Sequence, residues 1–215
     1  MSKAITIAEA QRFDAHTINI VGIPAMVLME RAALATFNNI LNDDFDITRV
    51  VVVAATGNNG GDGIAVARLL KIRGIDVAIY LLGDPAKATS QTTQQLKIAD
   101  YYGIPLTTDL NDVVNATLII DAIFGVGLSR DITGKFADAI NAINAADAKT
   151  VSIDVPSGIN ADTGNVMGVA VVADTTVTMA YNKIGLLTTT GKHHSGTVHV
   201  ADIGIYAQDR VEHAR

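Results

Sequence analysis

Apolar and polar positions change rhythm along the chain. After Thr6, the residues Ile7, Ala8, Ala10, Phe13 and Ile18 recur with helical spacing until Gly22-Ile23-Pro24 breaks the run. A second helix is predicted from about Pro24 to Leu41, where "PAMVLMERAALATF" is apolar on most sides and needs cover from a sheet or a partner subunit. From Arg49 onward the pattern becomes short β-branched runs alternating with helix-length segments. Strands are predicted near Val50 to Ala55, Asp76 to Leu82, Ile104 to Leu106, Thr117 to Asp121, Thr150 to Asp154, Asp174 to Met179 and Thr197 to Asp202. Helices are predicted over Asp62 to Arg73, Ala88 to Tyr102 and Lys135 to Ala145. Parallel neighbours need crossover connections, so the expected class is α/β: a doubly wound, mostly parallel sheet with helices on both faces, a Rossmann-like three-layer sandwich.

On this layout the unusual residues fall at the carboxyl ends of three strands. The first end carries Gly57-Asn58-Asn59-Gly60-Gly61-Asp62-Gly63, the second Asp121 and "FGVGLSRDITG", and the third Asp154 with Ser157 three positions on. Ligands of open parallel sheets bind outside the carboxyl ends of the strands, so three such ends point to one crevice. A single loop of this composition is equally well an ordinary tight turn.

The first loop fails the strict phosphate-binding patterns. It has no lysine for a P-loop, and its glycines run G-x-x-G-G-x-G rather than G-x-G-x-x-G. Gly60 and Gly61 would still let backbone approach a ligand, and the free N–H groups of the following helix suit a diphosphate. Asp62 either joins that site or caps the helix. In the second loop, Gly125, Gly127 and Gly134 bracket Ser129, Arg130 and Asp131; Arg130 suits a phosphate or is a solvated surface charge.

Asp121 and Asp154 each close an apolar strand, "ATLIID" and "KTVSID", which places both carboxylates near the crevice floor. An amide oxygen at Asn59, one carboxylate at Asp121 and a hydroxyl at Ser157 make an all-oxygen shell of single negative charge, suited to a monovalent cation. His193, His194 and His199 are not expected to form a metal site, because adjacent histidines on an extended chain point apart. Lys183 follows a predicted strand and is read equally as a crevice residue or a surface lysine.

Composition narrows the picture. With 215 residues and a hydrophobic fraction of 49% against 5% aromatic, the chain suits one domain with an aliphatic core. A formal charge of -6 with no basic run disfavours nucleic acid as a partner. Zero cysteines remove thiol catalysis and thiolate metal sites. No signal-like start and no bilayer-length apolar run are seen, so no membrane association and a cytoplasmic location are expected.

Taken in order, "GIPAMVLMERAA", "GNNGGDG", "DAIFGVGLSRDITG", "SIDVPSGINADTG", the lysine of "NKIGL" and the closing "GTVHVADIGI" resemble the NAD(P)H-hydrate epimerase family, also called the YjeF N-terminal domain. Members of that family interconvert the R and S forms of NADHX and NADPHX, cofactors damaged by addition of water at C6 of the nicotinamide ring. A partner dehydratase restores the S form. The resemblance implies that Asn58, Asn59, Gly60, Gly61 and Asp62, with Gly125, Val126, Gly127, Leu128, Ser129, Arg130 and Asp131, hold the hydrated dinucleotide, with Asp154 beside the reacting ring. It implies a potassium ion (K+) on Asn59, Asp121 and Ser157. It also implies a single epimerase domain over 1–215, with the dehydratase a separate protein. The chain departs from the family at Glu30-Arg31-Ala32, where "MENA" is usual, and in "TMAYNKIGL" before the lysine.

Epimerisation at C6 needs proton transfer at its hydroxyl, either through loss and return of water or through ring opening. Asp154 is the candidate for that transfer. A symmetric homodimer is expected through the apolar second helix. The competing readings are a nicotinamide-dependent oxidoreductase, which lacks its glycine spacing here, and a non-catalytic dinucleotide-binding or dimerisation module of the same fold.

Overall fold

The four valines Val50–Val53 sit on an interior strand of a seven-stranded sheet in the computed structural model, which describes residues 4–206. In chain order the elements are β1 (Ala4–Ile5), α1 (Ile7–His16), a π-helical turn (Thr17–Val21), α2 (Ala25–Asn42), β2 (Val50–Ala55), α3 (Asn58–Ile72), β3 (Val77–Leu82), α4 (Ser90–Tyr101) and β4 (Leu106–Thr107). There follow α5 (Leu110–Val114), β5 (Leu118–Ala122), α6 (Lys135–Ala145), β6 (Lys149–Ile153), β7 (Thr175–Met179), β8 (Asn182–Lys183), α7 (Thr189–Ser195) and β9 (Thr197–Ala201). The main sheet runs β4-β3-β2-β5-β6-β7-β9, and β1 and β8 form a separate pair. All of these pairings are parallel.

Period-two alternation sorts the layers. Val50, Val52 and Ala54 join Ala33, Ile64 and Ala99 under α2, α3 and α4, while Val51 and Val53 join Val113 and Ile140 under α5 and α6. Both faces of β2 are therefore dry, which explains why it reads as an unbroken apolar run. The doubly wound α/β class expected from the sequence is the observed one. Strand order reverses between β2 and β5, so a crevice opens at their carboxyl ends. Among the described residues, no helix is long and apolar enough to cross a membrane.

Three expectations change. The third helix begins at Asn58 rather than Asp62, so most of the glycine-rich stretch is helix. Gly60 is there because a Cβ would overlap the Ala55 carbonyl, and Gly63 because one would overlap the Ala122 side chain; the glycines press α3 against the sheet. Gly57 is the N-cap, which removes the capping explanation for Asp62. His193 and His194 lie on the short helix α7 instead of an extended segment, and the His194 Nδ1 is 2.8 Å from the Val171 carbonyl.

Candidate active site

A cavity of about 490 Å³ opens where four strand ends meet. Its walls come from the start of α3 (Gly57, Asn58, Asn59, Asp62), the loop after β5 (Ile123 to Leu128), Asp154 after β6, and Met179 to Tyr181 after β7. Lys183 and, from α1, Phe13 and Asp14 close it, with Leu28 of α2 and Ile203 supplying apolar cover. This size and mixture suit a ligand with a flat apolar body and a few polar groups.

Asp154 is held in place by its surroundings. Its φ is +69°, in the left-handed region that side chains rarely occupy, and Ala180 at +60° is the one other non-glycine residue there among those described. Both line the cavity, and strain of this kind, on the order of 1–3 kcal/mol per residue, is typical of functional sites. The peptide at Asp154 is fixed by its N–H donating to the Val177 carbonyl at 2.8 Å. The carboxylate accepts from Val126 N–H at 3.2 Å and pairs with Lys183, whose Nζ lies 2.6 Å from Oδ1.

Lys183 is 2% exposed and spends all three of its protons, on Asp154, on Thr178 Oγ1 at 2.8 Å and on the Met179 carbonyl at 2.9 Å. Its backbone is pinned by the β1–β8 pair, with Ile5 opposite Lys183. The sequence left Lys183 undecided between crevice and surface; the structure assigns it to the crevice.

Asp121 has a different setting. It is fully buried and does not line the cavity. Its Oδ2 accepts from Ser152 Oγ at 2.7 Å and from Ser157 N–H at 2.8 Å, while Oδ1 takes the Ser157 hydroxyl and Ile123 N–H. Burial pushes its carboxyl above the ordinary value, opposed by these hydrogen bonds. The expected position on the crevice floor is thus corrected: Asp121 lies one layer beneath it, and Ser157 joins it to the β5 loop by accepting from Phe124 N–H at 2.9 Å.

The residues expected to hold a cation fit it in kind. Asn59 lines the cavity, and its amide Nδ2 is buried without a hydrogen-bond partner. Its Oδ1 lies 3.1 Å, and Asp154 Oδ2 2.8 Å, from the point a Cβ on Gly125 would occupy, so a side chain there would crowd both. A half-turn of this amide exchanges its donor and acceptor ends, which would direct the Asn59 oxygen into the buried position. Among the described residues, no group of three or more His, Cys, Asp or Glu side chains is arranged for a metal.

The remaining expected ligand residues divide. Asn58, Asn59, Asp62, Gly125, Val126, Gly127 and Leu128 line the main cavity, whereas Gly60 and Gly61 are buried behind it in α3. Ser129, Arg130 and Asp131 line a second hollow of about 620 Å³, which shares Phe124, Gly127 and Leu128 with the first. Sequence reasoning missed Asp14, whose carboxyl is pushed up by burial and by the Asp154 charge. It sits in an ordinary amphipathic helix, and no local pattern marks it. Arg31, where the family usually has an amide, points away from the ligand residues to Asp202, 3.7 Å distant, with Gly204 beneath its guanidinium.

The model of the family described as YjeF-related protein N-terminus matches residues 25–185. A protein of Levilactobacillus brevis named NAD(P)H-hydrate epimerase is 86% identical over 215 residues, covering 100% of both chains. One of the same name from Oenococcus oeni is 52% identical over 203 residues, covering 94% of this chain and 97% of its own. The crystal structure of a yeast protein superposes with a TM-score of 0.80 at 21% identity, covering 92% of this chain and 88% of that one, and shares the fold.

Proposed function

The chain belongs to the family of YjeF-related protein N-termini, and with the cavity described above as its site we propose that it is an NAD(P)H-hydrate epimerase. It interconverts the R and S forms of NADHX and NADPHX. The observation that carries this reading is Asp154, a strained carboxylate ion-paired to a buried lysine and facing a cavity at the switch point of a doubly wound sheet. The name carried by full-length relatives supports it.

In this reading the hydrated nicotinamide ring occupies the main cavity, with its apolar edges against Phe13 and Leu28 and its C6 hydroxyl within reach of Asp154. The rest of the dinucleotide follows the β5 loop into the second hollow, where Ser129 and Arg130 meet its phosphates. The unpaired N–H groups of Asn58, Asn59 and Gly60 at the start of α3 favour negative charge there. Gly61 is excluded from that role by its N–H, which donates to the Gly57 carbonyl at 3.1 Å. Asp154 moves the proton at the C6 hydroxyl, and Lys183 orients its carboxylate.

Potassium belongs to the same reading, with Asn59, Asp121 and Ser157 as its ligands; its support in this chain is the unpartnered buried end of the Asn59 amide, which a half-turn would make an oxygen. When bound it would supply positive charge for the diphosphate and hold the β2 and β5 loops together. A homodimer also belongs here. Ile20 and Val21 are 74% and 60% exposed, and Val27 and Leu34 of α2 are exposed as well, leaving an apolar face next to the cavity. A dehydratase that consumes the S form and a cytoplasmic location complete the proposal. Incubating the purified protein with R-NADHX and resolving the epimers chromatographically tests it: the S form accumulates faster than in buffer, and a rate equal to buffer overturns the reading.

A further inference from the structure

Inversion at C6 by loss and return of water demands chemistry on both faces of the ring, and one ion-paired carboxylate serves one of them. The cavity offers a second carboxyl. Asp62 stands in the second turn of α3 and lines the cavity with Asp154, and its side chain has no hydrogen bond or ion pair among the described residues. Asp62 is carried by the helix that follows β2 and Asp154 by the turn that follows β6, so the two reach the one cavity from different elements. They differ in every partner. Asp154 has Lys183 and two backbone N–H groups, those of Val126 and Met179, whereas Asp62 meets only charges of its own sign, those of Asp154 and of Asp14 on α1.

We infer that Asp62 is the second proton-transfer residue of the epimerase, acting on the face of the ring opposite Asp154. The inference rests on the epimerase reading. In one direction the C6–O bond breaks with its electron pair on oxygen, which takes the Asp62 proton and leaves as water. The N1 lone pair forms the N1=C6 bond of an iminium. A second water then adds to C6 from the other face, the π pair returns to N1, and Asp154 takes the proton that water loses. Exchange with solvent returns a proton to Asp62 and removes one from Asp154. The reverse direction exchanges the two roles.

The surroundings suit this division. Burial, then the charges of Asp154 and Asp14, push the Asp62 carboxyl well above its ordinary value, which keeps a proton available to a leaving hydroxyl. Asp154, ion-paired with Lys183, faces the positive iminium and stabilises it. Two carboxyls in one cavity, one ion-paired to a lysine and one set among charges of its own sign, are the arrangement an acid–base pair requires.

The test follows R-NADHX in ¹⁸O-water with wild type, Asp62→Asn and Asp62→Ser, with the spontaneous reaction subtracted. Wild type is expected to place one solvent oxygen at C6 for each inversion. Asp62→Asn is expected to lower kcat by roughly 10²- to 10⁴-fold with KM changed by no more than a few-fold, and to lose the alkaline fall in kcat that deprotonation of Asp62 gives wild type. Asp62→Ser, smaller and neutral, is expected to fall equally; circular dichroism matching wild type shows that both variants are folded. Wild-type kcat in either folded variant, or product without solvent oxygen, overturns the inference while the epimerase reading stands. Absence of epimerisation by wild type overturns both.

Discussion

Asp121 and Asp154 close neighbouring parallel strands of one sheet, yet they end in opposite situations. Asp121 stands opposite Ser152 in the β5–β6 register, wholly buried, with four uncharged donors around its two oxygens. Asp154 lies one residue past β6, twisted into a left-handed turn, with an ammonium on one oxygen and the cavity in front of it. The first arrangement joins β6 to the loops that follow β5 and β6; the second presents charge to a ligand. What separates them is the residue that answers the carboxylate, a serine in one case and a lysine in the other. A carboxylate answered by neutral donors resists water and substrate alike, whereas one answered by a buried cation keeps its charge where a reacting group can use it.

The largest expected effect comes from removing the active charge. Asp154→Asn leaves an oxygen for Lys183 Nζ, which also retains Thr178 Oγ1 and the Met179 carbonyl, so the fold persists. Epimerisation should fall by roughly 10²- to 10⁴-fold while NADHX binding is kept. Wild-type turnover by this variant would end the contrast between the two carboxylates.

Next is the lysine. Lys183→Met leaves Asp154 as an unpaired buried charge, and unfolding in urea should show a loss of about 3–5 kcal/mol. Combining it with Asp154→Asn should restore part of that loss, because the double variant buries no lone charge. Simple addition of the two single effects would mean that the ion pair is incidental. Asp121→Asn comes third. Its NH₂ would confront the donors of Ser152 or Ser157, costing about 1–3 kcal/mol, and potassium should no longer raise the melting temperature. Unchanged potassium response would separate Asp121 from the cation.

These sites were unequally readable from the sequence. The sheet was readable because β2 is a continuous apolar run, β5 is one up to Asp121, and the alternation of strand and helix from β2 to β6 admits few topologies. Asp121, Asp154 and the glycine-rich stretch were marked by their places at strand ends. Lys183 was not, since its burial depends on a two-residue pairing with β1 from the far end of the chain, a contact no local pattern records. The start of α3 was misplaced because glycines ordinarily signal loops, whereas Gly60 and Gly63 serve a helix pressed against β2 and β5. Asp14 joins the cavity through the packing of α1 alone.

The smallest expected effect sharpens the contrast from a third carboxyl. Asp62 titrates above the ordinary 3.8, chiefly because it is desolvated and then because Asp154 and Asp14 repel its charge. The folded chain therefore holds that proton more tightly than the unfolded chain does. Its contribution to stability is complete below 3.8 and is lost as the pH rises through the raised folded value. Asp62→Asn keeps the shape but has no charge to bury, so it avoids the loss. Its melting temperature should exceed that of wild type at neutral and alkaline pH, and the gap should close as the pH falls toward 3.8. Differential scanning calorimetry across that range measures it. A gap of constant size would assign the difference to packing, and a wild type more stable at every pH would show that Asp62 carries its charge at no cost. Stability gained where activity is lost is the expected signature of a carboxyl kept for proton transfer rather than for folding.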